Sequence, residues 1–283
     1  MRLGGPVFED CSTPGAFVEA HRKAGFSAAF CPLPADAGDD TIRDFERAAK
    51  AANIVIAETG AWSNPLSPDA ETRRKALDLC CAGLSLADRV GALCCVNISG
   101  SRGLQWDGPD PLNLTPETFD MIVETVRRII DDVKPRRAFY ALEPMPWMYP
   151  DSAESYLRLL EAVDRRQFAV HFDPVNIISS PERYFASGAL IRDFFAKLGP
   201  HIKSCHGKDT LLSGKLTVHL DEVRPGLGAL DYPTYLGEMA KLGPDLPLMV
   251  EHLHSAEEAA LAAAHVRRVA SEVGVMVVGS TSQ

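Results

Sequence analysis

No apolar run in the 283-residue chain approaches the ~20 residues needed to span a bilayer, and the start, Met1-Arg2-Leu3-Gly4-Gly5-Pro6, lacks the apolar core of a secretory signal. Neither membrane insertion nor secretion is expected, and a cytoplasmic location is. Basic charge is scarce, with 29 Lys and Arg against 38 Asp and Glu for a net charge of -9. A phosphate backbone would repel such a chain unless one face were locally basic, so nucleic acid is a poor partner. The seven cysteines are odd in number and include the adjacent pairs Cys80-Cys81 and Cys94-Cys95. That pattern does not suit a disulfide framework and reads as reduced thiols. Proline-rich and glycine/serine-rich linkers are absent, so one domain is expected over 1–283, with a frayed tail over 278–283. A glycine-rich phosphate turn near the start is missing too, Gly4-Gly5-Pro6 being the nearest approach. An open, doubly wound dinucleotide fold would need one.

What the chain does have is alternation. Short runs rich in Val, Ile, Phe, Cys and Ala alternate with longer segments of helical period, the mark of repeated strand-helix units. Strands are expected at 5–8, 27–31, 54–59, 93–99, 138–143, 168–173, 201–206 and 246–251, each followed by a helix. Ser67-Pro68-Asp69, Thr115-Pro116-Glu117 and Asp151-Ser152 supply the cap residues that helix starts favour. Eight units in 283 residues is about 35 each, which predicts an α/β chain folded as a single (β/α)8 TIM barrel.

In such a barrel the chemistry sits at the C-terminal ends of the strands. Four consecutive predicted strands end in ionisable residues: Glu143, Asp173, His206 and Glu251. Period-two alternation sends Leu142, Phe172, Cys205 and Val250 toward the helices and turns the four polar residues into the barrel. Any one acid alone could pair locally or cap the following helix. Three gathered carboxylates, however, repel one another unless protonated or neutralised, and a divalent cation is the simplest neutraliser. An oxygen-rich set with one imidazole suits Mn²⁺ first, then Mg²⁺ or Co²⁺, with no organic cofactor.

Glu143-Pro144, Val170-His171-Phe172-Asp173, His206-Gly207-Lys208-Asp209, the run from Arg224 through Pro225-Gly226-Leu227-Gly228 to Tyr232, and Glu251 together resemble the xylose isomerase-like barrel superfamily. Within it the chain is most similar to the sugar isomerase/epimerase branch of ketose 3-epimerases, hydroxypyruvate isomerase and inosose dehydratase. The resemblance implies that Glu143, Asp173, His206 and Glu251 ligate the metal, and that Glu143 and Glu251 also act as the acid/base pair on opposite faces of a bound ketose. At two positions the chain departs from the ketose 3-epimerases: Asn176 stands where they carry a substrate-binding His, and Tyr149 where they carry a Glu.

Further substrate contacts are expected from His171, two before Asp173 on the same inward face, from Asn176 and Lys208, and from Arg224, ahead of the Pro-Gly-x-Gly loop. Arg102, in the turn Ser99-Gly100-Ser101-Arg102-Gly103, is a candidate for an anionic group. Trp62, Trp106 and Trp147 follow strands and could stack on a sugar ring. His252 is expected to turn away from the face of Glu251. These readings predict a metal-dependent isomerase or epimerase of a small carbohydrate or keto-polyol. Three alternatives stay open: a dehydratase using the same proton abstraction, a barrel subunit of a larger sugar-processing enzyme, and, more remotely, a DNA-repair endonuclease. Aromatic loops on an exposed rim are compatible with a dimer or tetramer.

Overall fold

Cap side chains fix where the long helices begin. In the computed structural model, which describes residues 1–279, Thr13, Asp69, Thr115, Ser152 and Ser255 each accept a hydrogen bond from the backbone N–H three residues on. They start α1 (Pro14–Lys23), α3 (Ala70–Val90), α4 (Pro116–Val133), α5 (Ala153–Val163) and α10 (Ala256–Glu272), with α2 (Asp39–Ala51) after the first of these. Such caps satisfy N–H groups that a helix cannot bond internally. Ile122, Val126, Ile129 and Ile130 of α4, spaced three and four apart, are buried, giving the helix the apolar stripe that lays it on the sheet.

Between the helices run the parallel strands β1 (Arg2–Gly4), β2 (Ala28–Phe30), β3 (Val55–Gly60), β4 (Cys94–Asn97), β5 (Phe139–Leu142), β6 (Phe168–Phe172), β7 (Ile202–Gly207) and β10 (Pro247–Val250). They close in the order β1-β10-β7-β6-β5-β4-β3-β2, the eight-stranded (β/α)8 barrel. Leu142, Phe172, Cys205 and Val250 join the large core between strands and helices. Inside the barrel, Met249 packs with Ala28 and Ala57 in one small cluster, and Cys94, Val96 and Ala141 form another.

Two expectations need correction. The first strand is Arg2–Gly4, not 5–8: Arg2 and Leu3 pair with Pro247 and Leu248, Pro6 has no N–H to continue the ladder, and a Cβ on Gly5 would lie 2.4 Å from Val250 Cγ2. The N–H of Val278 donates to the carbonyl of Met1, and residues 280–283 of the expected frayed tail lie outside the described residues. An antiparallel hairpin, β8 (Asp209–Ser213) and β9 (His219–Val223), follows β7 in addition to the eight predicted units. The short helices α6 (Pro174–Ile177) and α7 (Pro181–Phe185), then α8 (Ser187–Leu198) and α9 (Tyr232–Lys241), complete the chain. Among the described residues no helix is long and apolar enough to cross a membrane, and all seven cysteines are free thiols.

Candidate metal centre and substrate cavity

β5, β6, β7 and β10 are neighbours in the barrel, so the residues at their C-terminal ends converge. Glu143, Asp173, His206 and Glu251 each bring one ligand atom within 4.8 Å of the others. Nδ1 of His206 lies 2.8 Å from Glu251 Oε1, 3.3 Å from Glu143 Oε1 and 3.8 Å from Asp173 Oδ2. The other carboxylate oxygen of Asp173, Oδ1, accepts from the N–H of Val175 and caps α6, which leaves Oδ2 for the cluster. Buried Oδ2 of Asp173 and Oε1 of Glu251 have no hydrogen-bond donor. Two orphaned carboxylate oxygens facing an imidazole nitrogen fit an oxygen-preferring divalent cation.

The far side of the His206 ring explains its orientation. Nε2 is 3.0 Å from Oε1 of Glu58, a residue of β3 that sequence reasoning missed. Glu58 Oε2 accepts from Ser204 Oγ at 2.5 Å, and Ser204 Oγ is 2.6 Å from His171 Nδ1. A carboxylate behind a ligating histidine fixes which ring nitrogen faces the ligand cluster. Burial opposes the charge of Glu58, but the charge and hydrogen bond of His206, with the Ser204 hydroxyl, outweigh it and keep the carboxyl below its ordinary range. His171 itself is pushed down to about 3 by burial and by the charge of His206.

Lys208 places its ammonium among the same carboxylates, 2.6 Å from Glu251 Oε1, 2.8 Å from Asp173 Oδ2, 3.4 Å from Glu143 Oε1 and 3.5 Å from Glu222 Oε2. Burial would lower its pKa, but the surrounding acids hold it well above the usual value. Burial raises Glu143 to about 7. It acts in the same direction on Glu251, where the charges of His206 and Lys208 outweigh it and bring the carboxyl to about 2.

Above the cluster opens a cavity of about 780 Å³, walled by Trp62, Trp106, Trp147, Met145, Phe30, Ile98 and Leu253 and floored by Glu58, Glu143, Lys208 and Glu251. Gly60 lets the Trp62 ring fold back, since a Cβ there would sit 2.5 Å from its Nε1. Trp147 is pinned by donating Nε1–H to the carbonyl of Asp107. Asn176 donates from Nδ2 to Glu143 Oε1 at 2.9 Å and lines the wall. Tyr149 donates to the carbonyl of Leu114 and packs edge-on to Phe119, away from the cavity.

Not every candidate reaches this cavity. His171 is fully buried beneath the cluster, a support for Ser204 and Glu58 rather than a substrate contact. Arg224 pairs through Nε with Glu258 of α10 at 2.9 Å. Arg102 donates to Thr118 Oγ1 on α4 at 3.0 Å. The turn around Arg102 offers no anion nest, because its N–H donates to Asn113 Oδ1 and that of Gly103 to Ser101 Oγ. Conversely His252, expected to face away, lines the mouth with its Nδ1 2.7 Å from Glu222 Oε1. A left-handed backbone at φ +54° breaks the strand alternation there. Glu222 lies on the added hairpin, and nothing in its local sequence distinguishes it from an ordinary surface acid.

The Pro-Gly-x-Gly run also finds its purpose. Buried Asp209 accepts from the N–H groups of Gly226, Gly228 and Leu230, as well as from that of Thr210. A Cβ on Gly228 would lie 2.2 Å from the carbonyl oxygen of Thr210, so glycine is required where this loop closes over the hairpin.

A model of the xylose isomerase-like TIM barrel matches residues 18–270. The chain belongs to that family. No curated protein matches it. Among solved structures it is similar to endonuclease IV from Thermus thermophilus, with a TM-score of 0.75 and 14% identity over 96% of this chain and 100% of that one. It is also similar to a D-psicose 3-epimerase from Clostridium cellulolyticum solved with D-tagatose, at 0.65 and 17% over 95% and 99%. A third, a xylose isomerase-like TIM barrel protein from Mycobacterium smegmatis in complex with magnesium, gives 0.65 and 17% over 93% and 90%. At these identities the likeness speaks for the fold alone.

Proposed function

We propose that this family member is a divalent-metal-dependent isomerase or epimerase of a small, neutral ketose or keto-polyol. The observation that carries the reading is the convergence of Glu143, Asp173, His206 and Glu251 on one point at the floor of an aromatic-walled cavity. Those four residues would hold the ion, Mn²⁺ first by donor chemistry, with Mg²⁺ or Co²⁺ as alternatives. Bound there, it supplies Lewis-acid stabilisation of the negative charge that develops on oxygen when a proton leaves the carbon beside a carbonyl.

The protein's own residues handle the proton. β5 and β10 are separated in the barrel by β6 and β7, so Glu143 and Glu251 reach the cluster from opposite sides. One carboxylate takes the carbon-bound proton and the other returns one. Return to the opposite face of the same carbon inverts it, and delivery to the neighbouring carbon interconverts ketose and aldose. Asn176 holds Glu143 through Oε1, and Trp62, Trp106 and Trp147 offer ring faces to a sugar and keep water from the floor.

Charge along the wall favours a neutral substrate. Glu58, Asp107, Glu143, Glu222 and Glu251 line the cavity against Lys208 and His252, with no arginine among the described lining residues. A phosphate ester or a nucleic acid backbone would meet repulsion there. The comparison with a D-psicose 3-epimerase supports the sugar reading, and a D-tagatose or D-psicose panel is the natural starting point. The test is Glu251→Gln, assayed for metal content and for turnover on that panel. We expect the fold and bound metal to persist while kcat falls by about 10²–10⁴-fold, the range for a lost general acid or base. Near-normal kcat removes Glu251 from the acid/base role.

A further inference from the structure

The ammonium of Lys208 and the metal proposed above require the same oxygens. Nζ sits 2.6 Å from Glu251 Oε1, 2.8 Å from Asp173 Oδ2 and 3.4 Å from Glu143 Oε1, and these three atoms are the ones that face His206 Nδ1. Asp173 Oδ2 and Glu251 Oε1 nonetheless lack a hydrogen-bond donor. The ammonium is close but off their bonding directions, and it holds them by charge. Its hydrogen bond to the set is the long one to Glu143 Oε1, at 3.4 Å, and an ion pair with so little directed bonding is the kind that a better-matched cation replaces.

A divalent ion bonded to carboxylate oxygens at roughly 2.0–2.6 Å would leave this ammonium facing a second positive centre in a buried site, where like charges repel strongly. The lysine stem has four flexible carbons, and one further acid is already within reach. Glu222 Oε2, on β9, is 3.5 Å from Nζ. Its other oxygen is fixed by His252 Nδ1 at 2.7 Å, so the acceptor is held at the cavity wall.

We infer that Lys208 is the resident counter-cation of the unloaded ligand set, and that a divalent metal displaces its ammonium onto Glu222 at the cavity wall. The inference rests on the metal reading of the site. Lys208 then has two roles in sequence. Without metal it joins His206 in offsetting the repulsion among Glu143, Asp173 and Glu251, and with metal it competes and lowers the apparent affinity. Paired with Glu222 it also leaves no unpaired cation for a phosphate among the described lining residues, His252 already being bound to Glu222, in keeping with a neutral substrate.

The experiment is calorimetric titration of Mn²⁺ into chelator-stripped full-length protein, alongside thermal melts of the stripped forms, for wild type, Lys208→Met and Glu222→Gln. K208M should bind Mn²⁺ at least tenfold more tightly than wild type and, stripped, should melt at a lower temperature. E222Q should bind several-fold more weakly, because the displaced ammonium loses its acceptor, with a smaller change in the stripped melt than K208M shows. Equal or weaker Mn²⁺ binding by K208M overturns the competition, and unchanged binding by E222Q overturns the acceptor role. If stripped K208M does not fold, the loaded variant is compared for Mn²⁺ release to a chelator: slower release than wild type supports the inference, and equal or faster release overturns it. A wild type that takes up no divalent metal sinks the proposed function as well. A wild type that binds Mn²⁺ while K208M binds it no more tightly sinks this inference alone.

Discussion

At the scale of single residues, the centre depends on Glu58 as much as on the four strand-end residues, because Glu58 decides which way the His206 ring faces. Replacing it by Gln keeps the shape but removes the charge that accepts from Nε2. Glu58→Gln should weaken Mn²⁺ binding by about 10–100-fold, the usual effect of losing a partner behind a metal-ligating histidine. Calorimetric titration of stripped protein checks this, and unchanged affinity would show that the ring is oriented by packing instead. The strand-end residues are legible in sequence because each closes an apolar run at the barrel mouth. Glu58 is not, and the reason is local. Ala29 pairs with Ile56 but Phe30 pairs with Glu58, so β3 carries one extra residue. Alternation from Ala57, which faces the lumen, would send Glu58 outward, and the extra residue brings it in. Lys208 reads in sequence as a substrate contact, whereas the carboxylates that engage it directly follow β5, β6 and β10 or lie on the hairpin, a proximity that no local sequence pattern encodes.

At the scale of elements, the hairpin β8–β9 and the loop over it form one unit fastened by Asp209. Its carboxylate accepts four backbone N–H groups while buried. Asp209→Ala should cost at least about 3 kcal/mol, since bonds to a charged acceptor contribute roughly 1.5–3 kcal/mol each, though not additively, and the freed N–H groups stay partly buried. Urea unfolding measures it, and a loss under about 1 kcal/mol would mean that the loop holds without this carboxylate. The hairpin carries Glu222, so the same variant should also loosen that side of the cavity. The motif His206-Gly207-Lys208-Asp209 is visible in sequence, and so is the Pro-Gly-x-Gly run. Their mutual bonding is not, because the two stretches lie well apart in the chain and meet only when the hairpin folds between them. Helix starts are legible, since Asp69, Thr115 and Ser152 cap locally. The first strand is not, because it is a segment of three residues begun by Arg2 rather than an apolar run. The Arg2 guanidinium is accommodated by Asp245 and by the carbonyl and side chain of Asn53 at the strand's start.

At the scale of the whole molecule, the barrel holds a polar column from His171 through Ser204, Glu58 and His206 to the cavity floor. The fold follows from the chain's alternation and the family from motifs such as His206-Gly207-Lys208-Asp209, whereas the substrate depends on a cavity wall assembled from many separate loops and strands. That wall is acidic and aromatic, which is why we propose a neutral sugar as its substrate. The central claim is proton abstraction beside a carbonyl at this centre, and NMR in D₂O tests it most directly. The Mn²⁺-loaded protein is incubated with free ketoses, keto-polyols and sugar phosphates, against a chelator-treated control. We predict deuterium at a single carbon of a neutral ketose or keto-polyol, lost when the metal is removed, with the labelled product separating epimerisation, isomerisation and dehydration. Exchange that survives metal removal, or label entering only phosphorylated sugars, would contradict the account.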